Sequence, residues 1–358
     1  MSRDRFDLPA SSESAVARAA YDEAVALLLT ANAGADAALG AALAADPEFA
    51  LAHAAQARLY QLQAEPRAAR QAAARAVELA ARASERESRH ARIVALAVSG
   101  QSAQALDALR QHVGDYSRDA LVLSLALGVY GLIAFGGRRE HHREQRELLQ
   151  SLAPHWAEDG WFLGYLGWSQ VETDEPERGA ETIGRALALL PRNAHAVHAC
   201  AHAHVERGTA EAGRALLAHW LPDYPRAGQL HCHLNWHWAL WELDAGDLPA
   251  ALRRYGEAIC PRHSLAAPMP TLADAASFLW RCRLYGVQSE PLPWPQVVAL
   301  TRETFPQAGL AFADLHAAMT EAASGDMTAA AARVAALDAL VASGKSWPAA
   351  WCRCSVAA

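Results

Sequence analysis

Apolar positions along the chain recur every three to four residues in runs of about 14, each run closed by a glycine or by a proline or aspartate. This is the period of an amphipathic helix, and the strict alternation of a half-buried strand is missing. Gly100, Gly208, Gly246, Gly286 and Gly325 each follow such a run, where the end of a helix calls for a left-handed residue. Asp46-Pro47, Pro191 and Pro225 each open the next run. The predicted grammar is helix A, glycine turn, helix B, then a proline or aspartate turn.

Pro191 and Pro225 lie 34 residues apart, the spacing of a tetratricopeptide repeat. With Gly246 and Asp247 set as repeat positions 15 and 16, Ala239 falls at position 8, Ala251 at 20, Tyr255 at 24 and Ala258 at 27. These are the small and aromatic slots where helices A and B cross closely, and a side chain larger than alanine would push them apart. Leu163, Leu166 and Gly167, followed by Ala186 and Pro191, repeat the pattern, as do Gly325, Asp326 and Ala330. Helix pairs are expected near 15–45, 50–82, 86–113, 118–152, 159–189, 194–220, 231–259, 271–304 and 309–343, with a partial helix near 346–354. The fold class is therefore all-α, a tetratricopeptide-like right-handed α-solenoid of about nine antiparallel helix pairs. Residues 1–13 read as an N-terminal extension, 14–345 as one continuous superhelix (14–152 scaffold repeats, 153–325 pocket repeats), and 346–358 as a C-terminal partial helix.

Composition sharpens this picture. The 358 residues are 52% hydrophobic and 20% charged, rich in alanine and poor in β-branched runs, which excludes disorder and favours helix throughout. A net charge of -7 argues against a nucleic-acid partner. The charged start of the chain lacks a secretory signal, so a cytoplasmic location is expected. The six cysteines have neither the density nor the spacing of a disulfide framework and are expected reduced. The uncharged run 120–137 is at the lower edge of a membrane span, but its four glycines and its mid-chain place predict a buried core helix.

The candidate chemistry is concentrated. Eight of the 16 histidines fall between His195 and His237, and all 11 tryptophans lie between Trp156 and Trp351, which assigns a binding site to the later repeats. His195, His198 and His202 share one helix face, at repeat positions 2, 5 and 9. His233, Trp236 and His237 hold positions 2, 5 and 6 of the next unit, and His90 holds position 5 of an earlier one. Such positions line the concave groove of tetratricopeptide proteins. Asp274, Trp280, Asp314 and His316 complete the expected ligand-binding set, with Glu206, Glu242 and Arg281 at the rim. Trp236, Trp238 and Trp241 offer flat walls, although two of the three must point into helix packing. His53, His112, His155, His219 and His263 read as structural, and His141, His142 and Arg143 as a solvated face.

The order of several segments resembles the tetratricopeptide repeat protein 38 family. The resemblance rests on Asp46 to His53, Ser84 to His90, Ala196 to His202, Cys232 to Leu240, Asp274 to Trp280 and Phe312 to Ala317, and spans about 7–325. It implies a tetratricopeptide-like superhelix and no settled reaction.

Three functional classes follow from the histidine wall. The first is a recognition module that holds a small polar molecule or short peptide in the concave groove. The second is an enzyme using His198, His202, His237 or Asp274 for acid-base or metal-assisted chemistry of the hydrolase or lyase class, with Cys232 or Cys200 as a nucleophile. No cofactor is required, but His198, His202, His233 and His237 are candidate ligands of a divalent transition metal. The third is an oligomeric scaffold, in which Trp347 to Trp351 form a homodimer contact.

Overall fold

The structure, a computed structural model, describes residues 2–136, 139–287 and 292–343. The partial helix near 346–354 and the Trp347 to Trp351 contact lie outside the described residues. The chain divides into two compact units between Thr209 and Ala210. The first contains β1 (Ser2–Arg3), β2 (Pro9–Ala10), α1 (Ala15–Leu29), α2 (Ala35–Ala45), α3 (Ala50–Leu62), α4 (Pro66–Ala80), α5 (Glu85–Val98), α6 (Ser102–Asp115), α7 (Ala120–Ser124), α8 (Leu132–Phe135), α9 (His141–Leu152), α10 (Gly160–Val171), α11 (Pro176–Leu189) and α12 (Ala194–Glu206). The second contains α13 (Ala210–Trp220), α14 (His231–Asp244), α15 (Leu248–Arg254), α16 (Pro268–Leu284), α17 (Trp294–Thr304), α18 (Ala311–Ala323) and α19 (Met327–Ala342). The all-α class and the helix-pair grammar hold.

Each hairpin turns through one left-handed residue. Gly100, Gly208, Gly246, Gly286 and Gly325 have φ between 64° and 80°. Ala31, Ala64 and Asp174 take the same conformation at φ 57°, 61° and 64° and end α1, α3 and α10 in the same way. In the Ala64 turn the Ala64 N–H donates to Gln61 O at 3.2 Å and the Glu65 N–H to Tyr60 O at 2.8 Å, which satisfies carbonyls that the helix end would leave open.

The small slots are filled as expected. Ala239 and Ala251 are fully buried where α14 meets α15, and Tyr255 and Ala258 are buried beyond them. Gly167 of α10 and Gly179 of α11 form the closest crossing. A Cβ on Gly167 would sit 2.6 Å from Ile183 Cγ1, and one on Gly179 would sit 2.8 Å from the Gly167 carbonyl.

One expectation needs correction, and two features add to the predicted pattern. The run 120–137 is not one helix: α7 stops after five residues, Gly128 turns at φ 78°, and Leu132 N–H reaches back to Leu125 O at 2.8 Å before α8 begins. A Cβ on Gly131 would collide with Leu127 O at 2.4 Å, so the glycines permit the reversal that breaks the helix. No helix among the described residues is long and apolar enough to cross a membrane. The N-terminal extension is also structured, as an antiparallel two-stranded hairpin pairing Ser2 with Ala10. Finally, α15 continues into a π-helical turn at Tyr255–Ile259, the wider geometry that often accompanies a local insertion.

A buried polar network ties this hairpin to α5 and α7. Arg86 donates from Nε to Asp119 Oδ2 at 2.8 Å and from Nη1 to Pro9 O at 3.2 Å, and its Nη2 pairs with Asp4 Oδ2 at 3.0 Å. His90 Nδ1 and His112 Nε2 also donate to Asp119, at 3.0 and 2.9 Å. Burial alone would raise the Asp119 pKa, but the Arg86 and His90 charges and the two imidazole donors outweigh it and hold the carboxyl well below its usual range. Glu87 closes a capping box with Ser84 and accepts from Ser11 N and Oγ.

The turn at Ala64 provides a clean test of the hairpin logic. A left-handed non-glycine residue costs about 1–2 kcal/mol, of which glycine's extra unfolded-state freedom offsets about 0.5–1. Ala64→Gly is therefore expected to stabilise the protein by about 0.5–1 kcal/mol in urea unfolding. A loss of stability would show that this turn does not carry the strain its φ implies.

Candidate functional site

Both units carry a pair of histidines spaced i,i+4 on a helix A, each oriented by a carboxylate on a neighbouring element. In the first unit, Glu172 caps the C-terminus of α10 and its Oε1 accepts from His202 Nδ1 of α12 at 2.6 Å. With Nδ1 turned to Glu172, His202 Nε2 meets His198 Nε2 at 3.0 Å. The two rings stand edge to face, 4.5 Å apart at 79°. His142 of α9 approaches the other oxygen, Glu172 Oε2, at 3.6 Å and packs edge-on against Trp168. Burial would raise the Glu172 pKa, but the hydrogen bond and charge of His202, with the charges of His142 and His141, hold it below its usual range.

The second unit repeats the device on α14 and α16. His233 Nδ1 donates to Asp274 Oδ1 at 2.8 Å and stacks on Trp236 at 5.2 Å and 11°. His237 stands edge to face with His233, 4.8 Å away at 79°. Trp236 Nε1 donates to Ser277 Oγ at 2.9 Å, and the Arg281 guanidinium lies 5.3 Å from the Trp236 ring. Asp274 is 4% exposed, and its second oxygen, Oδ2, is shut from water without a hydrogen bond at bonding geometry. The Cys232 thiol lies beside it.

The remaining expected residues fall in different places. His195 packs against Tyr165, ring centroids 5.2 Å apart. His316 donates from Nδ1 to Phe312 O at 2.8 Å, and Trp280 lies under Arg283 at 5.8 Å. His90 does not line a groove: it is fully enclosed in the Asp119 network. Asp314 is likewise enclosed, pairing with Arg333 at 2.8 Å and accepting the Gly309 and Leu310 N–H groups. Glu242 is not at a rim: it is 8% exposed and accepts both Arg254 Nε and Nη2. His142 is half-buried rather than fully solvated, packed between Glu172 and Trp168. Trp238 packs under Arg254 at 3.5 Å, and Trp241 fills the space above Gly213, while Trp236 lies between His233 and Arg281.

Sequence reasoning missed Glu172, because a charge at a helix end ordinarily reads as solvated. A cavity of about 260 Å³ lies in the second unit between Leu252, Tyr255, Cys260, Leu292 and Gln296, and contains none of the expected residues.

Chemically, an imidazole fixed by a carboxylate through Nδ1 presents Nε2 as a base, a hydrogen-bond partner or a metal ligand. Thiolate chemistry is disfavoured. Burial, and then the Asp274 charge, push the Cys232 thiol well above its ordinary value, and burial raises Cys200.

No family model matches the chain. It is similar to nicotinate phosphoribosyltransferase of Citrobacter koseri, 32% identical over 162 residues, which are 45% of this chain and 34% of that protein. The corresponding protein of Salmonella paratyphi B is 32% identical over 123 residues, 34% of this chain and 26% of that protein. The chain thus spans about a third or less of the length of these curated relatives. Among solved structures, the TPR domain of P58(IPK) is 14% identical, with 95% of this chain and 96% of that one covered at a TM-score of 0.22. At that score the likeness carries no argument, and the all-α assignment rests on the helices themselves.

The histidines make stability depend on pH. Burial lowers the His195 pKa from 6.5 to about 4, with the Arg58 charge adding to it, and burial also lowers His112, His142, His204, His231 and His316. Above pH 6.5 these groups are neutral in both states and impose no penalty. As pH falls below that, the unfolded chain binds protons that the folded chain does not, so stability drops, for His195 until pH about 4 is passed. The urea midpoint is expected to decline between pH 7 and pH 4.5, with a shallower decline in His195→Phe. A midpoint that rises or stays level over this window would contradict the assignment.

Proposed function

We propose that the chain is a helical-repeat binding protein, related to the tetratricopeptide repeat protein 38 family, whose A helices hold a small polar molecule or short peptide against oriented imidazoles. The observation that carries this reading is the His233, Asp274 and Trp236 arrangement. A buried carboxylate fixes the imidazole tautomer, and a flat indole flanked by a guanidinium lies beside it. The same elements suit a ligand with a hydrogen-bonding head and a planar or cationic body. The protonated thiols weigh against covalent cysteine catalysis, which leaves His/Asp acid-base chemistry as the enzymatic alternative.

A thermal-shift screen of amino acids, dipeptides and small polar metabolites tests it. A ligand present at 100 times its Kd adds about 2.7 kcal/mol, a shift of several degrees. That shift is expected in the wild type and lost in both His233→Ala and Trp236→Ala. Ligands that shift all three proteins equally would refute the site.

A second reading, divalent-metal binding, is favoured by the His198 to His202 distance. At metal to nitrogen distances of about 2.1 Å, two imidazoles on one ion lie roughly 3.0–3.4 Å apart, and the observed Nε2 separation is 3.0 Å. Glu172 would orient the ligand His202. Dialysis against zinc or cobalt followed by metal analysis should show a bound ion in the wild type and less in His198→Ala. Wild type that retains none at micromolar free metal overturns this reading.

A further inference from the structure

Residues 4–12 of the first unit lie across the N-terminal ends of successive A helices, and the side chains that receive them are also held by the helices themselves. Arg86, in the first turn of α5, gives Nε to Asp119 Oδ2 at 2.8 Å and keeps Nη1 and Nη2 for Pro9 O and Asp4 Oδ2, at 3.2 and 3.0 Å. Asp119, just ahead of α7, is fixed in turn by His90 and His112. Glu87 uses Oε2 in the capping box with Ser84 and offers Oε1 to Ser11 N and Oγ, at 2.9 and 2.8 Å. Asp46, ahead of α3, accepts from Glu48 N through Oδ1 and from Ser12 Oγ through Oδ2. Trp156, ahead of α10, donates to Ser117 O at 3.0 Å, stacks on Phe162 at 5.0 Å and 10°, and meets Phe6 edge to face at 5.7 Å.

The hairpin has little of its own to hold it. Its two strands are two residues each, too short to be stable alone. Asp7, in its turn, is left-handed at φ 62°, an unfavourable conformation for a residue with a Cβ. Asp4 makes the bend: its Oδ1 accepts from Phe6 N at 2.9 Å and from Leu8 N at 3.0 Å, while Oδ2 reaches Arg86. The receiving side stays paired when the hairpin is withdrawn, because Arg86 keeps Asp119, Glu87 keeps Ser84 and Trp156 keeps Phe162. Withdrawal therefore strands no buried charge. A preformed receptor under a strained, locally weak segment is the arrangement of a ligand site filled in cis.

We propose that this row of helix ends is a peptide-binding site of the first unit, filled in cis by residues 4–12 and taken by a partner segment that displaces them. The geometry defines the partner: an extended polypeptide with a carboxylate two residues ahead of an aromatic side chain, the order of Asp4 and Phe6. The carboxylate pairs with Arg86 Nη2, the ring packs on Trp156, and a backbone carbonyl takes Arg86 Nη1. Arg86 sets the charge requirement, since with Asp119 already on its Nε it has room for one further carboxylate. Ser14 caps α1 directly after the hairpin, so the cis segment is held at high effective concentration and a partner has to outcompete it. This inference uses residues other than the His233, Asp274 and Trp236 set and does not depend on it.

The experiment titrates the 358-residue chain with a fluorescein-labelled synthetic peptide of residues 2–13, read by anisotropy, while hydrogen exchange follows the Phe6 and Leu8 amides. In the wild type these two amides are expected to exchange through a local opening, faster than those of α5, and the peptide to bind weakly because the cis segment competes. Asp4→Asn removes the ion pair but leaves Oδ1 for the bend, and this chain is expected to bind the peptide about tenfold tighter than wild type. Phe6→Ala, which removes the contact with Trp156, should act in the same direction. A peptide carrying Asp4→Ala should bind the Asp4→Asn chain about tenfold more weakly than the unaltered peptide. A hairpin that is only structural predicts Phe6 and Leu8 amides that exchange together with those of α5, a result that overturns the proposal on the wild type alone, whether or not the variants fold. No saturable peptide binding to the Asp4→Asn chain, or equal affinity in that chain and the wild type, would overturn it as well.

Discussion

One left-handed residue at the bend of each hairpin sets the register on which the rest of the structure depends. It ends helix A at a fixed phase and so decides which of its side chains face helix B and which face the other A helices. Counting that residue as position 15, position 8 is the close crossing, occupied by Gly167 and Ala239. Positions 2, 5, 6 and 9 carry the histidine pairs and their indole: His233 at 2, His198 and Trp236 at 5, His237 at 6 and His202 at 9. A shift of one residue in any turn would rotate these groups by about 100° and bury the wrong face.

The same constraint explains what the chain made legible. Where the bend is glycine, the pattern announces itself, and the sequence alone places His198 with His202 on one face of α12 and His233 with Trp236 on one face of α14. Where the bend is Ala31, Ala64 or Asp174 the signal is silent, since an alanine there looks like helix interior. Glu172, which orients His202, sits at the end of α10 beside the Asp174 bend, a hairpin without a glycine marker. Two other features had no local signal at all. The N-terminal strands are two residues long, too short for alternation, and the Arg86 to Asp119 contact joins residues 33 apart.

Charge is handled with the same economy inside an alanine-rich core. Small side chains pack densely but hold little information about which helix belongs beside which. Polar networks such as Asp4, Arg86, Asp119, His90 and His112 join particular elements, and a mispaired arrangement would leave a charge buried alone. Arg333 does this for α18 and α19, and Arg254 for α14 and α15.

The histidine pairs show how far chemistry here belongs to packing rather than to any single helix. The sequence of α12 places His198 and His202 one turn apart, but it does not decide which nitrogen of either ring carries a proton. That decision comes from Glu172, on the preceding helix A, whose depressed pKa keeps it an acceptor and therefore draws the proton of His202 to Nδ1. Nε2 of His202 is then turned to His198 Nε2, 3.0 Å away. Asp274 on α16 has the same role for His233 of α14. In both units a neighbouring hairpin sets the tautomer, so moving one helix A against the next would change the basicity of the exposed nitrogen without altering a single residue on the helix that bears it.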